Sequence, residues 1–299
     1  MRHLARSTCP QARADPGCSA PRKARPSTQV VATIDLPSRP GGKLLRTILE
    51  RNTMTSLTAR TALVTGGSRG IGAAIVRRLA AEGTDVVFTY AVAADAANAL
   101  VDSVSRDGGS VSAVRANSAD RAEVIDAVAT AVDRLEHLDV VVSNAGGGVL
   151  LPLSQIGYGE IDRMINVTVH GTVTLVKESL PHLREGGRVI TIGSVNAHYT
   201  PFDSMAIHAL DRAALVGFVR GMARELGPKG ITINNVQPGP VDTDANPADG
   251  PTGDLQRSLI PIGRYGEADE VASLVSYLAG PESSLINGAS LNIDGGYSA

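Results

Sequence analysis

The chain has 299 residues, 43% of them hydrophobic and 19% charged, with a formal net charge of −2, which predicts a soluble globular protein large enough for a full α/β domain. Apolar stretches such as Thr61 to Val64 and Val140 to Val142 are far shorter than the roughly 20 residues a membrane helix needs, so no membrane partner is expected. Both cysteines, Cys9 and Cys18, lie near the N-terminus, which excludes a disulfide framework, a thiol nucleophile and a Cys-rich zinc site from the remainder; no metal is expected, and a reducing cytoplasm fits. Residues 1–53 hold eight Arg and two Lys against Asp15, Asp35 and Glu50, or +7, leaving −9 for residues 54–299. This segment is rich in Pro, Arg and Gly and has no sustained apolar period, so it reads as a disordered basic arm or as an extension from an upstream start codon. Met54 stands just before the first strand-like run, and the folded domain is expected over residues 54–299. No nucleic-acid partner is expected.

From Thr61 onward, short β-branched runs alternate with longer segments of helical period. Strands are predicted at Thr61–Thr65, Asp85–Tyr90, Ser110–Ala116, Leu138–Ser143, Arg188–Gly193, Ile231–Val236 and Ser290–Ile293. Helices are predicted between them at Ile71–Glu82, Ala94–Arg106, Arg121–Glu136, Glu160–Leu183, Arg212–Leu226 and Glu267–Leu278. Strict alternation requires crossover connections, so the sheet is parallel, covered on both faces and doubly wound, with ligands at the carboxyl ends of its strands. The segment Pro238–Arg264 is too long and too rich in Pro and Gly for an ordinary connection, and reads as a lid.

The first strand runs into Thr65-Gly66-Gly67-Ser68-Arg69-Gly70-Ile71-Gly72 and then directly into a helix. Glycines at such a turn let the backbone approach a pyrophosphate, while the helix N-terminus supplies oriented N–H groups. With a strand before, a helix after and T-G-x-x-x-G-x-G spacing, this segment resembles the short-chain dehydrogenase/reductase family. The likeness covers about residues 57–299 and is nearest in texture to bacterial ketoreductases of the 3-oxoacyl-acyl-carrier-protein reductase type. It implies a single Rossmann-type α/β domain, a doubly wound parallel sheet of seven strands flanked by helices. It also implies a homo-oligomer, commonly a tetramer. Arg69 can meet a ribose 2′-phosphate, and the second strand ends in Thr89-Tyr90-Ala91 where an acid would bind a free 2′-hydroxyl. Both features favour NADP(H). By resemblance, the cofactor residues are Gly66, Ser68, Arg69, Gly70, Ile71, Gly72 and Tyr90. Asn117 and Ser118 stand where an Asp usually takes the adenine amine, Asn117 still offering a carbonyl acceptor. Asn144, Ala145 and Gly146 lie on the ribose side. Pro238, Gly239, Val241 and Thr243 follow the sixth strand, Val241 by its backbone at the nicotinamide amide and Thr243 at the phosphates.

The family's catalytic Asn and Ser match Asn166, in Ile-Asn-Val-Thr, and Ser194, in Ile-Gly-Ser-Val. Aligning through Ala213-Ala214-Leu215-Val216-Gly217 puts His208 where the family has its proton-transferring Tyr and Arg212 where it has Lys. At i and i+4 these two share a helical face. Arg212 can donate to ribose hydroxyls but cannot relay a proton, and its charge is expected to lower the His208 pKa. Three activities remain open. One is reduction of a small or medium organic carbonyl, free or carrier-bound, by NADPH, with Ser194 and His208 polarising it. Another is a non-redox dehydration, isomerisation or cyclisation with His208 as acid or base. The last is cofactor binding without turnover. His198, Tyr199, Phe202 and the lid over 244–264 are expected to cup the substrate.

Overall fold

The computed structural model describes residues 57–299. The basic arm expected over residues 1–53, and Met54 as the start of the domain, lie outside the described residues. Seven strands form one sheet: β1 Thr61–Val64, β2 Asp85–Tyr90, β3 Val111–Arg115, β4 Leu138–Ser143, β5 Leu183–Ile192, β6 Thr232–Pro238 and β7 Ser290–Ile293. The strand order is β3-β2-β1-β4-β5-β6-β7, and every neighbouring pair is parallel. The expected doubly wound α/β fold is therefore present. Because β1 and β4 are neighbours, the order reverses at β1, which opens a crevice at its carboxyl end.

Side chains alternate across the sheet with a period of two, and both faces are buried. Ala62, Val64, Phe88 and Val142 face one core with helices α1 (Gly70–Ala81) and α8 (Ala268–Ala279); Leu63, Val87 and Val141 face the other with α3 (Arg121–Leu135). The α2 helix (Ala94–Arg106) adds Ala97, Leu100 and Val104 to the first core.

The long helix expected over Glu160–Leu183 is broken. It runs as α4 (Tyr158–Ile165), a π turn (Asn166–His170) and α5 (Gly171–Ser179). Pro181 then lies in a short 3₁₀ turn that ends the helix, and β5 begins at Leu183, five residues before the expected Arg188. The α6 helix covers Ala206–Leu226, six residues longer at its start than expected, so His208 and Arg212 both stand within it. The lid contains the short helix α7 (Gly253–Ser258) and folds back through a bridge between Val241 and Gly266.

Candidate active site

The turn after β1 is held from three sides. Its Thr65 N–H bonds Val142 O, its Gly67 N–H bonds Thr89 O at 2.8 Å, and the Asn144 side-chain amide donates to both Thr65 O and Gly66 O at 3.0 Å. Asn144 thus uses its side-chain donors to brace the glycine turn. Gly70 has φ +50°, and a Cβ on Gly72 would fall 2.1 Å from the Gly66 carbonyl oxygen, so neither position accepts a side chain without movement. The α1 N-terminus carries no side-chain cap and no acid in its first turn, which leaves its amides and partial positive charge facing outward.

A cleft of about 690 Å³ opens over this turn. Among the residues predicted from sequence, Gly66, Ser68, Arg69, Gly70, Ile71, Gly72, Tyr90, Asn117, Ser118, Asn144, Ala145, Gly146 and Thr243 all line it. Two cations and one acid that sequence reasoning missed line it too, Arg115, Arg163 and Glu123 beside Asn117, together with Asp244 from the start of the expected lid. Arg115 is the register partner of Tyr90 at the ends of β3 and β2, so one pairing step sets it beside the strand end where a 2′-phosphate ligand is expected. Among the described residues neither Arg69 nor Arg115 has an ion-pair partner.

Each oxygen of Asn117 already takes one hydrogen bond within its own loop. Its Oδ1 accepts Ala119 N–H at 3.1 Å in an Asx-type turn, and its backbone carbonyl accepts Asp120 N–H at 2.9 Å. Pro238, Gly239 and Val241 do not line the cleft. Pro238 pairs with Ile293, and Gly239 lies so near Asp294 that a Cβ there would meet its Cβ at 2.7 Å. The bridge to Gly266 uses Pro240 O and Asp242 N–H, which keeps Val241's own N–H and C=O out of it.

On α6, Arg212 is 7% exposed and Asp211, its neighbour, is fully buried. Their closest approach, Arg212 Nε to Asp211 Oδ1, is 3.5 Å, and the Thr168 hydroxyl and the Arg212 backbone N–H also favour the charged carboxylate. Burial raises the Asp211 pKa, with the Arg212 charge acting against it; burial lowers that of Arg212. The guanidinium reaches Ile192 O through Nη1 at 3.4 Å and packs on Gly146, where a Cβ would lie 2.8 Å from Nη2. Arg212 therefore reaches the cleft from beneath through a cleft-lining glycine, although it does not line the cleft itself. His208, half-buried one turn earlier, has its pKa lowered to about 4, first by burial and then by Arg212. The direction is the expected one; the larger cause is desolvation.

Ser194 follows β5 and caps the 3₁₀ turn Val195–Ala197. Its Oγ accepts Asn196 N–H at 3.2 Å and donates to Asn196 Oδ1 at 3.0 Å. Asn166 opens the π turn, which packs on α6. Of the expected substrate wall, Tyr199 meets Tyr297 edge-to-face at 5.5 Å, beside Val195, Ile260 and Tyr265. His198 instead turns to Asn292, 3.3 Å from its amide nitrogen.

Residues 66–298 match the family described as Enoyl-(Acyl carrier protein) reductase. The chain is 46% identical over 246 residues to the cyclic-di-GMP-binding biofilm dispersal mediator protein of Escherichia coli (strain K12), covering 82% of this chain and 100% of that one. It is 37% identical over 246 residues to the 3-oxoacyl-[acyl-carrier-protein] reductase of Synechocystis, covering 81% of this chain and 98% of that one. A short-chain dehydrogenase of Burkholderia cenocepacia J2315, solved in complex with NADP, superposes with a TM-score of 0.80 at 46% identity, covering 81% of this chain and 99% of that one. On its glycine turn, its sheet order and these matches together, the chain belongs to the short-chain dehydrogenase/reductase family.

Proposed function

We propose that this protein is an NADP(H)-dependent reductase of a small or medium organic carbonyl, with His208 and Arg212 in place of the usual Tyr and Lys. One observation carries the cofactor reading: an uncapped helix N-terminus and a glycine cradle share a cleft with two guanidiniums, Arg69 and Arg115, that lack any counter-ion among the described residues. That combination fits a pyrophosphate over the turn and a ribose 2′-phosphate at its β2–β3 side. The NADP complex of the Burkholderia relative supports it.

When bound, the nicotinamide supplies a hydride. The chain's own residues then have to hold the carbonyl and manage the oxygen. His208 is neutral near pH 7, so it offers a ring N–H to the developing alkoxide as an electrophile and is not a full acid. Ser194 Oγ supplies a second donor by exchanging Asn196 for the substrate. Arg212 holds positive charge beneath Gly146 and donates toward the ribose, but keeps its proton. Asn166, at the wide turn beside α6, holds a relay water that gives its proton to the alkoxide and is itself reprotonated from bulk solvent. Arrangement as a homo-oligomer goes with this reading.

A second reading, nucleotide binding without turnover, is favoured by the engagement of Ser194 with Asn196 and by the neutral His208. The E. coli relative's name, cyclic-di-GMP-binding, is in keeping with it. Following NADPH absorbance over a panel of ketones and aldehydes, with NADPH and NADH affinities measured in parallel, separates the two. Reduction that falls by about 10²–10⁴ in His208→Ala supports the reductase. Tight NADPH binding with no carbonyl reduced supports the second reading, and failure to prefer NADPH over NADH refutes the cofactor assignment.

A further inference from the structure

We propose that Glu123, and not Asn117, receives the 6-amino group of the cofactor's adenine and so selects adenine against a 6-oxo purine; this rests on the NADP(H) reading above. The topology fixes which end of the cleft holds the adenosine. Ser194 and α6 lie beyond β4 and β5, so the reacting half of a dinucleotide that crosses the glycine turn occupies that side. The other half extends over the ends of β2 and β3, where Tyr90, Arg115, Asn117, Ser118 and Glu123 line the cleft.

An exocyclic amine needs an acceptor there. Both oxygens of Asn117 already accept within its own loop, Oδ1 from Ala119 N–H and the carbonyl from Asp120 N–H, so each keeps a single lone pair and neither carries a charge. The Ser118 carbonyl faces away, packed so close to Gly171 that a Cβ on that residue would lie 2.5 Å from it. Glu123 is the acid on this side of the cleft, since Asp244 belongs to the lid. Its Oε2 accepts Asn117 N–H at 2.8 Å, which anchors the carboxylate in place, and among the described residues Oε1 has no protein partner. The backbone beneath it is fixed as well: Glu123 sits in the first turn of α3, its N–H donating to the capping Asp120. An anchored carboxylate with one free oxygen accepts from an amine donor in a charge-assisted bond and repels a carbonyl oxygen in the same place.

The experiment compares NADPH with its deamino analogue, in which hypoxanthine replaces adenine, by nicotinamide fluorescence titration of the full chain. Wild type is expected to bind NADPH roughly tenfold or more tightly than the analogue, the order for one hydrogen bond to a charged group. In Glu123→Ala and Glu123→Gln the ratio should shrink, falling to within about threefold in the alanine variant, while Asn117→Ala leaves it near the wild-type value. Equal binding of the two cofactors by wild type overturns the proposal with the NADP(H) reading intact. So does a Glu123→Ala protein that loses both cofactors by one factor, because Glu123 would then only hold the Asn117 loop. A wild type that binds neither cofactor overturns the NADP(H) reading and this proposal with it.

Discussion

His208 should make the protein acid-sensitive in a pH window that its own substitution removes. In the folded chain its pKa is about 4, against an ordinary 6.5 once unfolded. Above pH 6.5 the ring is neutral in both states and contributes nothing to the pH dependence. As pH falls from 6.5 the unfolded chain takes up a proton that the native site refuses, so stability drops by about 1.36 kcal/mol per unit until the native ring titrates near 4. The whole window is worth about 3 kcal/mol. Between pH 7.5 and 4.5 wild type should lose about 2–3 kcal/mol more than His208→Gln, in which nothing titrates at this position. Urea unfolding at pH 7.5, 6.0 and 4.5 measures this as a difference of differences, so other titrating groups cancel; with m near 3 kcal/mol/M the gap is roughly 1 M in midpoint. Arg212→Met should recover only the smaller part of the shift, since burial is the larger cause. Parallel stability curves for wild type and His208→Gln, or an NMR titration of the His208 ring near 6.5, would refute the reasoning and with it the neutral-donor role.

Arg69→Ala should weaken NADPH by about 1.5–3 kcal/mol and barely touch NADH, read by fluorescence titration; equal losses would remove Arg69 from the 2′-phosphate site. Removing either member of the buried Asp211–Arg212 pair leaves a stranded charge, so Arg212→Met alone should cost about 3–5 kcal/mol in urea unfolding. The double variant Asp211→Ala/Arg212→Met should be more stable than that single variant, and additive losses would show that the two groups are not coupled. His208→Tyr with Arg212→Lys should reduce simple activated ketones faster than the native chain, monitored by NADPH absorbance. No gain over wild type would mean that these positions do not correspond to the family's Tyr and Lys.

Most strands were legible because a parallel strand buried on both faces reads as a continuous apolar run, as in Val140-Val141-Val142. The start of β5 was not. Leu183-Arg184-Glu185-Gly186-Gly187 has no alternation, and it joins β4 only through the Leu138–Leu183 pairing across an irregular register. The early start of α6 was hidden because it lacks a side-chain cap and follows Ser204 at φ +66°. The glycine turn and nearly all its cleft neighbours could be read directly, since the chemistry there depends on local spacing. What spacing does not disclose is where a polar group's hydrogen bonds go. Spacing does not show that Asn117 Oδ1 takes a bond from its own turn, or that Glu123, an acid in a helical first turn, reaches back to the Asn117 N–H. Asp211 reads in sequence as one more surface charge, and only tertiary packing shows it sealed beneath the cleft.

The π turn at Asn166–His170 bears on how the chain can change over time. A π turn holds one residue more than an α turn, so it sets the rotational phase between the helical turns on its two sides. Arg163 and Val167 face the cleft, while Leu175 and Val176 lie in the core. Deleting one residue between 166 and 170 would let the turn relax to plain α-helix with the two groups near their present phase, whereas a deletion within α4 or α5 would turn one group by about 100° relative to the other. In that second case either the cleft would lose its side chains or the core would. Point substitutions along this rod can be absorbed one contact at a time, while a change of one residue in its length can be absorbed at the π turn and nowhere else along it.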